Sequence, residues 1–92
     1  MISYEDCVAM CGLTAAEIEA IAEHEHLPHI VAASLGRYLL DQRHGEEAIR
    51  DMIRDDIRCA LDRSDARHAS ELVAVLRHFL ITHPQARQTT HS

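Results

Sequence analysis

Between Glu46 and Arg63 the apolar side chains recur with the period of an α-helix: Ile49, Ile53, Ile57 and Ala60 fall on one stripe, with Met52 and Leu61 beside it. A stripe spaced at three and four residues has to be buried against another element. Acids and arginines fill the remaining positions, with Glu46–Arg50 and Asp51–Arg54 at the spacing of neighbours on a helix surface, which marks a solvated outer face. The pattern returns from a cap at Ser64 or Asp65 to about Thr82, through Ala69, Leu72, Val73, Leu76, Phe79 and Leu80. Aromatic residues make up 3% of the chain and Trp is absent. The core therefore has to come from Ile, Leu, Val and Ala, a composition that suits helices packed on helices. The fold class expected is all-α, a compact bundle of about five helices, two short N-terminal ones and three longer ones.

Helix punctuation divides the chain. Ser3 and Asp6 read as a capping box for a short first helix that stops at Gly12. Thr14 and Glu17 form a second capping box, with Leu13 and Ile18 placed as a hydrophobic staple, for a helix that Pro28 ends near Leu27. Pro28 then suits the first turn of a third helix, which Gly45 is placed to close. That third helix has two apolar faces, Val31, Leu35, Tyr38 and Leu39 on one and Ile30, Ala33 and Leu40 on the other around Gly36. It is expected to be either the central helix or half of a subunit interface. Residues 1–84 read as one domain and 85–92 as a flexible polar tail.

The net charge of −6 resides in the first third of the chain. Residues 1–36 hold six acids and no Arg or Lys, whereas residues 37–92 balance nine acids with nine arginines, and lysine is absent throughout. An acidic end repels nucleic acid and anionic lipid and favours cations and basic protein surfaces. No apolar run reaches membrane-spanning length, and the three cysteines, Cys7, Cys11 and Cys59, do not suggest a disulfide framework. A cytoplasmic protein is expected, with the cysteines serving as small buried apolar residues.

The segment Glu23-His24-Glu25-His26-Leu27-Pro28-His29 concentrates the candidate chemistry, in a chain with eight histidines. Glu23, Glu25, His26 and His29 are the candidate metal ligands. Glu23 and His26 stand at the Glu-x-x-His spacing, which is similar, over four residues and in one copy, to the sites of ferritin-like carboxylate-bridged bundles. A homodimer would supply the missing half. Carboxylate and imidazole ligands suit Zn, Fe or Mn. On the helix wheel Glu25 follows Ile18 and Ile21 and is expected to face the core, while Glu23 and His26 face outward. Asp56 and His83 also interrupt apolar stripes and could converge with Glu25.

The helices on either side of Pro28 superficially resemble a helix-turn-helix, but the second offers only His29 and Arg37 before its last turn, too little for phosphate contacts in an acidic setting. The sequence contains no glycine-rich phosphate loop, G-x-S-x-G or H-E-x-x-H. The function expected is that of a small homo-oligomeric helical protein with an interaction or regulatory role, binding a divalent transition metal through Glu23–His29. The alternative is a metal-independent acidic adaptor for a basic protein partner. A di-metal carboxylate enzyme assembled across a dimer ranks third.

Overall fold

A computed structural model describes residues 12–87. Within them the chain forms four α-helices, α1 Ala15–Glu25, α2 His29–Leu40, α3 Gly45–Asp62 and α4 Ala66–Thr82, followed by a 3-10 turn at Pro84–Arg87. The described architecture is all-helical, with four α-helices where five were expected along the whole chain. The first expected helix, with Cys7 and Cys11, lies outside the described residues except for Gly12, which takes the left-handed φ of 78° foreseen for a helix stop. No helix among the described residues is long and apolar enough to cross a membrane.

The start of α1 follows its sequence signature. The Thr14 N–H donates to Glu17 Oε1 at 2.9 Å and the Glu17 N–H donates to Thr14 Oγ1 at 3.1 Å, a complete capping box. Thr14→Ala is expected to lower stability by about 1 kcal/mol, the usual worth of such a cap; urea unfolding measures it, and an unchanged midpoint would show that the box contributes nothing. The helix ends at Glu25, two residues before the expected stop, because His26 adopts a left-handed φ of 56° and turns the chain, letting the Leu27 N–H reach the Ala22 carbonyl at 3.0 Å. Ser64 does the same after α3 with φ 59°, its own N–H reaching Leu61 and that of Asp65 reaching Ala60. This two-bond closure satisfies carbonyls that a helix end would otherwise leave open. Asp65, the second of the two caps considered, then accepts from the His68 N–H at 3.1 Å to start α4.

Helix α3 touches every other described element and carries the core. Ile49, Ile53 and Ala60 are fully buried, as the stripe requires, whereas Leu61 lies on the outer side and is 58% exposed. Ile18 and Ile21 of α1 and Leu72 and Phe79 of α4 pack into the same cluster. The three-residue link between α3 and α4 makes them antiparallel neighbours. Pro84–Arg87 folds back under this pair: Ala86 is fully buried, and Arg50 Nη1 donates to its carbonyl at 2.8 Å. Gln85–Arg87, read from the sequence as the start of the tail, thus belong to the packed structure.

Helix α2 resolves the ambiguity of its two apolar faces by burying its smallest residues. Ala32, Ala33 and Gly36 are buried, and a Cβ on Gly36 would press on Leu13 and Ile21, so α1 lies close against this face. Leu35, Leu39 and Leu40 are half-buried, whereas Ile30, Val31 and Tyr38 are exposed. Gly45 does not close α2: it is the first residue of α3, and the left-handed residue of this turn is His44, with φ 63°.

Candidate functional site

Several histidines and carboxylates of this lysine-free chain are matched one to one. The structure pairs His78 with Glu17, His68 with Glu23, His24 with Glu25, His29 with Glu19 and His44 with Glu47. This division of partners separates the four candidate metal ligands. Glu23 is taken by His68 on α4, whose Nε2 lies 2.8 and 2.9 Å from its two oxygens. His26 serves as the left-handed end of α1, and His29 faces Glu19 at 3.8 Å. Among the described residues no three His, Cys, Asp or Glu side chains are grouped so as to hold a metal ion.

Glu25 does not face the core. Its side chain is exposed and accepts from His24 Nδ1 at 2.8 Å. The wheel position is right, but the last turn of α1 runs past the edge of the core, so the direction that buries Ile18 and Ile21 opens to solvent at Glu25. The buried carboxylate of α1 is instead Glu17, 1% exposed, which combines its capping role with a contact from Oε2 to His78 Nδ1 at 3.1 Å. His83 likewise stays apart, stacked on Phe79 with ring centroids 4.4 Å apart at the end of α4.

Asp56 is the residue on which a site is built. It interrupts the apolar stripe of α3 and lies 7% exposed, and its Oδ2 is shielded from solvent with no hydrogen-bond donor among the described residues. It lines a cleft of about 420 Å³ between the C-terminal ends of α1 and α3, together with Glu23, His24, His26, Asp55, Arg58, Cys59, Asp62 and Arg63. Cys59, expected to be buried, is exposed on this wall. Two parallel-running helix ends therefore bring four acids together: Glu23 from α1 and Asp55, Asp56 and Asp62 from α3. His24 Nε2 and Arg58 Nη1 approach opposite oxygens of Asp55, each at 3.7 Å, so that acid is partly balanced.

Electrostatics follow from this placement. Burial pushes the Asp56 carboxyl up to about 6; Glu23 and Asp55 push the same way, and the fields of His24 and His68 oppose them. His68 is also raised, because its ring donates to Glu23 on one side and Glu71, at 3.3 Å, on the other, both of which favour the imidazolium. The field of His68 thus reaches Asp56 from α4. Asp56 was visible in the sequence as a charge on an apolar stripe. His68 was not, since its partner Glu23 lies 45 positions away and only its i,i+3 relation to Glu71 is local.

Chemically, the cleft sets four acids against Arg58 and Arg63, and one of its carboxylates is already desolvated and lacks a donor among the described residues. Such a group gains from a cation that brings hydrogen-bond donors with it. The chain matches no protein-family model, no curated protein and no solved structure, so the cleft's meaning rests on its own geometry.

Proposed function

We propose that this chain is a helical interaction or regulatory module that docks a basic protein surface onto the acidic cleft between the ends of α1 and α3. The observation that carries the reading is the buried, donorless Asp56 Oδ2 in a wall that also presents Glu23, Asp55 and Asp62. A metal centre needs several ligand atoms within about 2 to 2.6 Å of one point. A basic side chain needs only carboxylates along its path, and Glu23, Asp55, Asp56 and Asp62 line one cleft. The di-metal carboxylate reading is supported least, because Glu23, its best ligand, spends both oxygens on His68.

The partner-facing acids differ from those the charge count alone would select. Glu17 is fully buried beneath His78, so removing its charge tests the fold and not the surface. The informative variant is Glu23→Gln/Asp55→Asn/Asp62→Asn. Fluorescence anisotropy with a capped hexa-arginine peptide is expected to show binding that weakens steeply from 50 to 200 mM salt and falls at least tenfold in the triple variant. Binding by the triple variant equal to that of the parent would remove the cleft from consideration, and uptake of Zn²⁺ in place of the peptide would return the metal reading to first place.

A second observation favours self-association. Val31 and Tyr38 are 44% and 60% exposed along one side of α2, and Ile30, 43% exposed, flanks them together with the Arg37–Asp41 pair at 3.5 Å. A two-fold pairing of this stripe with that of a second copy would cover it and let those charges pair across the axis. Sedimentation at micromolar concentration tests it: a dimer that Val31→Asp/Tyr38→Asp converts to the 10.4 kDa monomer supports the pairing, and a monomeric parent overturns it.

A further inference from the structure

We infer that the cleft is an arginine-binding site in which a partner's guanidinium seats on the Asp56 carboxylate and displaces a proton from it. This deepens the docking reading above and rests on it.

Three features argue for a guanidinium. First, the cleft, at about 420 Å³, is far larger than a bare ion requires and takes a planar head together with its aliphatic stem. Second, the acceptor at its floor is desolvated, since Asp56 is 7% exposed and its Oδ2 has no donor. A guanidinium sheds water more readily than an ammonium, so it reaches such an acceptor at smaller loss. Third, carboxylates stand two turns apart on α3, with Asp55 and Asp62 seven residues apart on the stripe beside Asp56. A fork of five N–H donors can satisfy a buried oxygen and an outer one at once, which the three donors on a single ammonium nitrogen do less well.

The proton follows from the surroundings of Asp56. The charged groups around it are Glu23 and His24 from α1, His68 from α4, Asp55, Arg58 and Asp62 from its own helix, and Arg63 just beyond it. With burial added to Glu23 and Asp55, the empty carboxyl holds a proton up to about pH 6. The guanidinium requires the ionised form, so the proton leaves to solvent as the cation enters, and no covalent bond changes. Acidification then reverses docking, because Asp56 regains its proton.

The test uses the full chain, a capped hexa-arginine peptide and a capped hexa-lysine peptide, with Asp51→Asn as a charge-matched control that does not line the cleft. The parent is expected to bind the arginine peptide at least fivefold more tightly than the lysine peptide and about tenfold more tightly at pH 7 than at pH 5, the change a single proton with this pKa imposes. Calorimetry at pH 6 in two buffers of different ionisation enthalpy should show release of about half a proton on binding. Asp56→Asn should lose at least tenfold in affinity and most of the proton release, while Asp51→Asn keeps both. Binding of the arginine peptide with Asp56→Asn equal to the parent, or equal affinity for the two peptides, overturns the inference and leaves docking on the acidic wall intact. No binding to the parent at any pH overturns both.

Discussion

Alanine at position 45 is expected to unfold the domain. The Cβ it adds would occupy the position of the Leu39 carbonyl, overlapping both its oxygen and its carbon, and these are backbone atoms of the last turn of α2. A flexible side chain could rotate away, but a backbone carbonyl moves only with its helix. Relief would require the α2–α3 turn to open and the start of α3 to lift off, taking Ile49 out of the core. A loss of more than about 4 kcal/mol is expected, most of the stability a domain this size holds. His44→Gly is the informative companion. His44 has the left-handed φ of 63°, so glycine there relieves backbone strain of roughly 1 kcal/mol while losing the 2.9 Å contact to Glu47. Circular dichroism should therefore show His44→Gly folded and Gly45→Ala unfolded at 25 °C. A cooperative Gly45→Ala melt within a few degrees of the parent would mean that α2 and α3 do not approach as described.

This pair shows where sequence reasoning reached and where it stopped. The glycine at position 45 was recognised as a break, and its usual role at a helix stop was assigned to it. The chain gave that conformation to His44 and used Gly45 for close approach, and only the path of α2 relative to α3 reveals the difference. The capping box at Thr14, the Asp65 start of α4 and the core stripe of α3 were legible because they depend on residues three or four apart. The four candidate ligands at 23–29 behave in the opposite way. They are near one another along the chain, but a short α1 with a left-handed end sends Glu23 to α4, His29 back to Glu19 and Glu25 into solvent. Asp56 stood out as a charge on an apolar stripe, yet its neighbours Glu23, His24 and His68 come from two other helices that no local pattern links to it.

Asp56→Asn is expected to stabilise the protein at neutral and alkaline pH, and this is the second large effect. The Asp56 carboxyl titrates at about 6 in the folded chain against an ordinary 3.8. A raised acid binds more protons folded than unfolded between those values, so stability falls as pH rises from about 4 through 6 and stays reduced above. The shift corresponds to roughly 3 kcal/mol. Asn avoids the charge while still burying a polar atom, so a gain of about 2 kcal/mol at pH 8 and none below pH 4 is expected. His68 adds to the same trend with opposite chemistry. Its imidazolium is favoured by Glu23 and Glu71, so the stability it contributes is fully present below its ordinary pKa and is lost as pH rises through its raised one. The parent should therefore lose stability as pH rises, first in the Asp56 step from about 4 through 6 and then in a His68 step above the ordinary 6.5, Asp56→Asn in the second step alone, and Asp56→Asn/His68→Gln in neither. Urea unfolding across that range separates the three curves, and an Asp56→Asn curve superimposed on the parent above pH 6 would mean that the carboxylate is solvated in the fold. The expected result carries a functional implication. A chain that retains an acid whose replacement stabilises it is holding an unsatisfied charge in place, and stability given up at one position is characteristic of a group kept for what it binds. If peptide affinity falls by the same substitution that raises the unfolding midpoint, the two effects have one physical origin, the missing donor at Asp56 Oδ2.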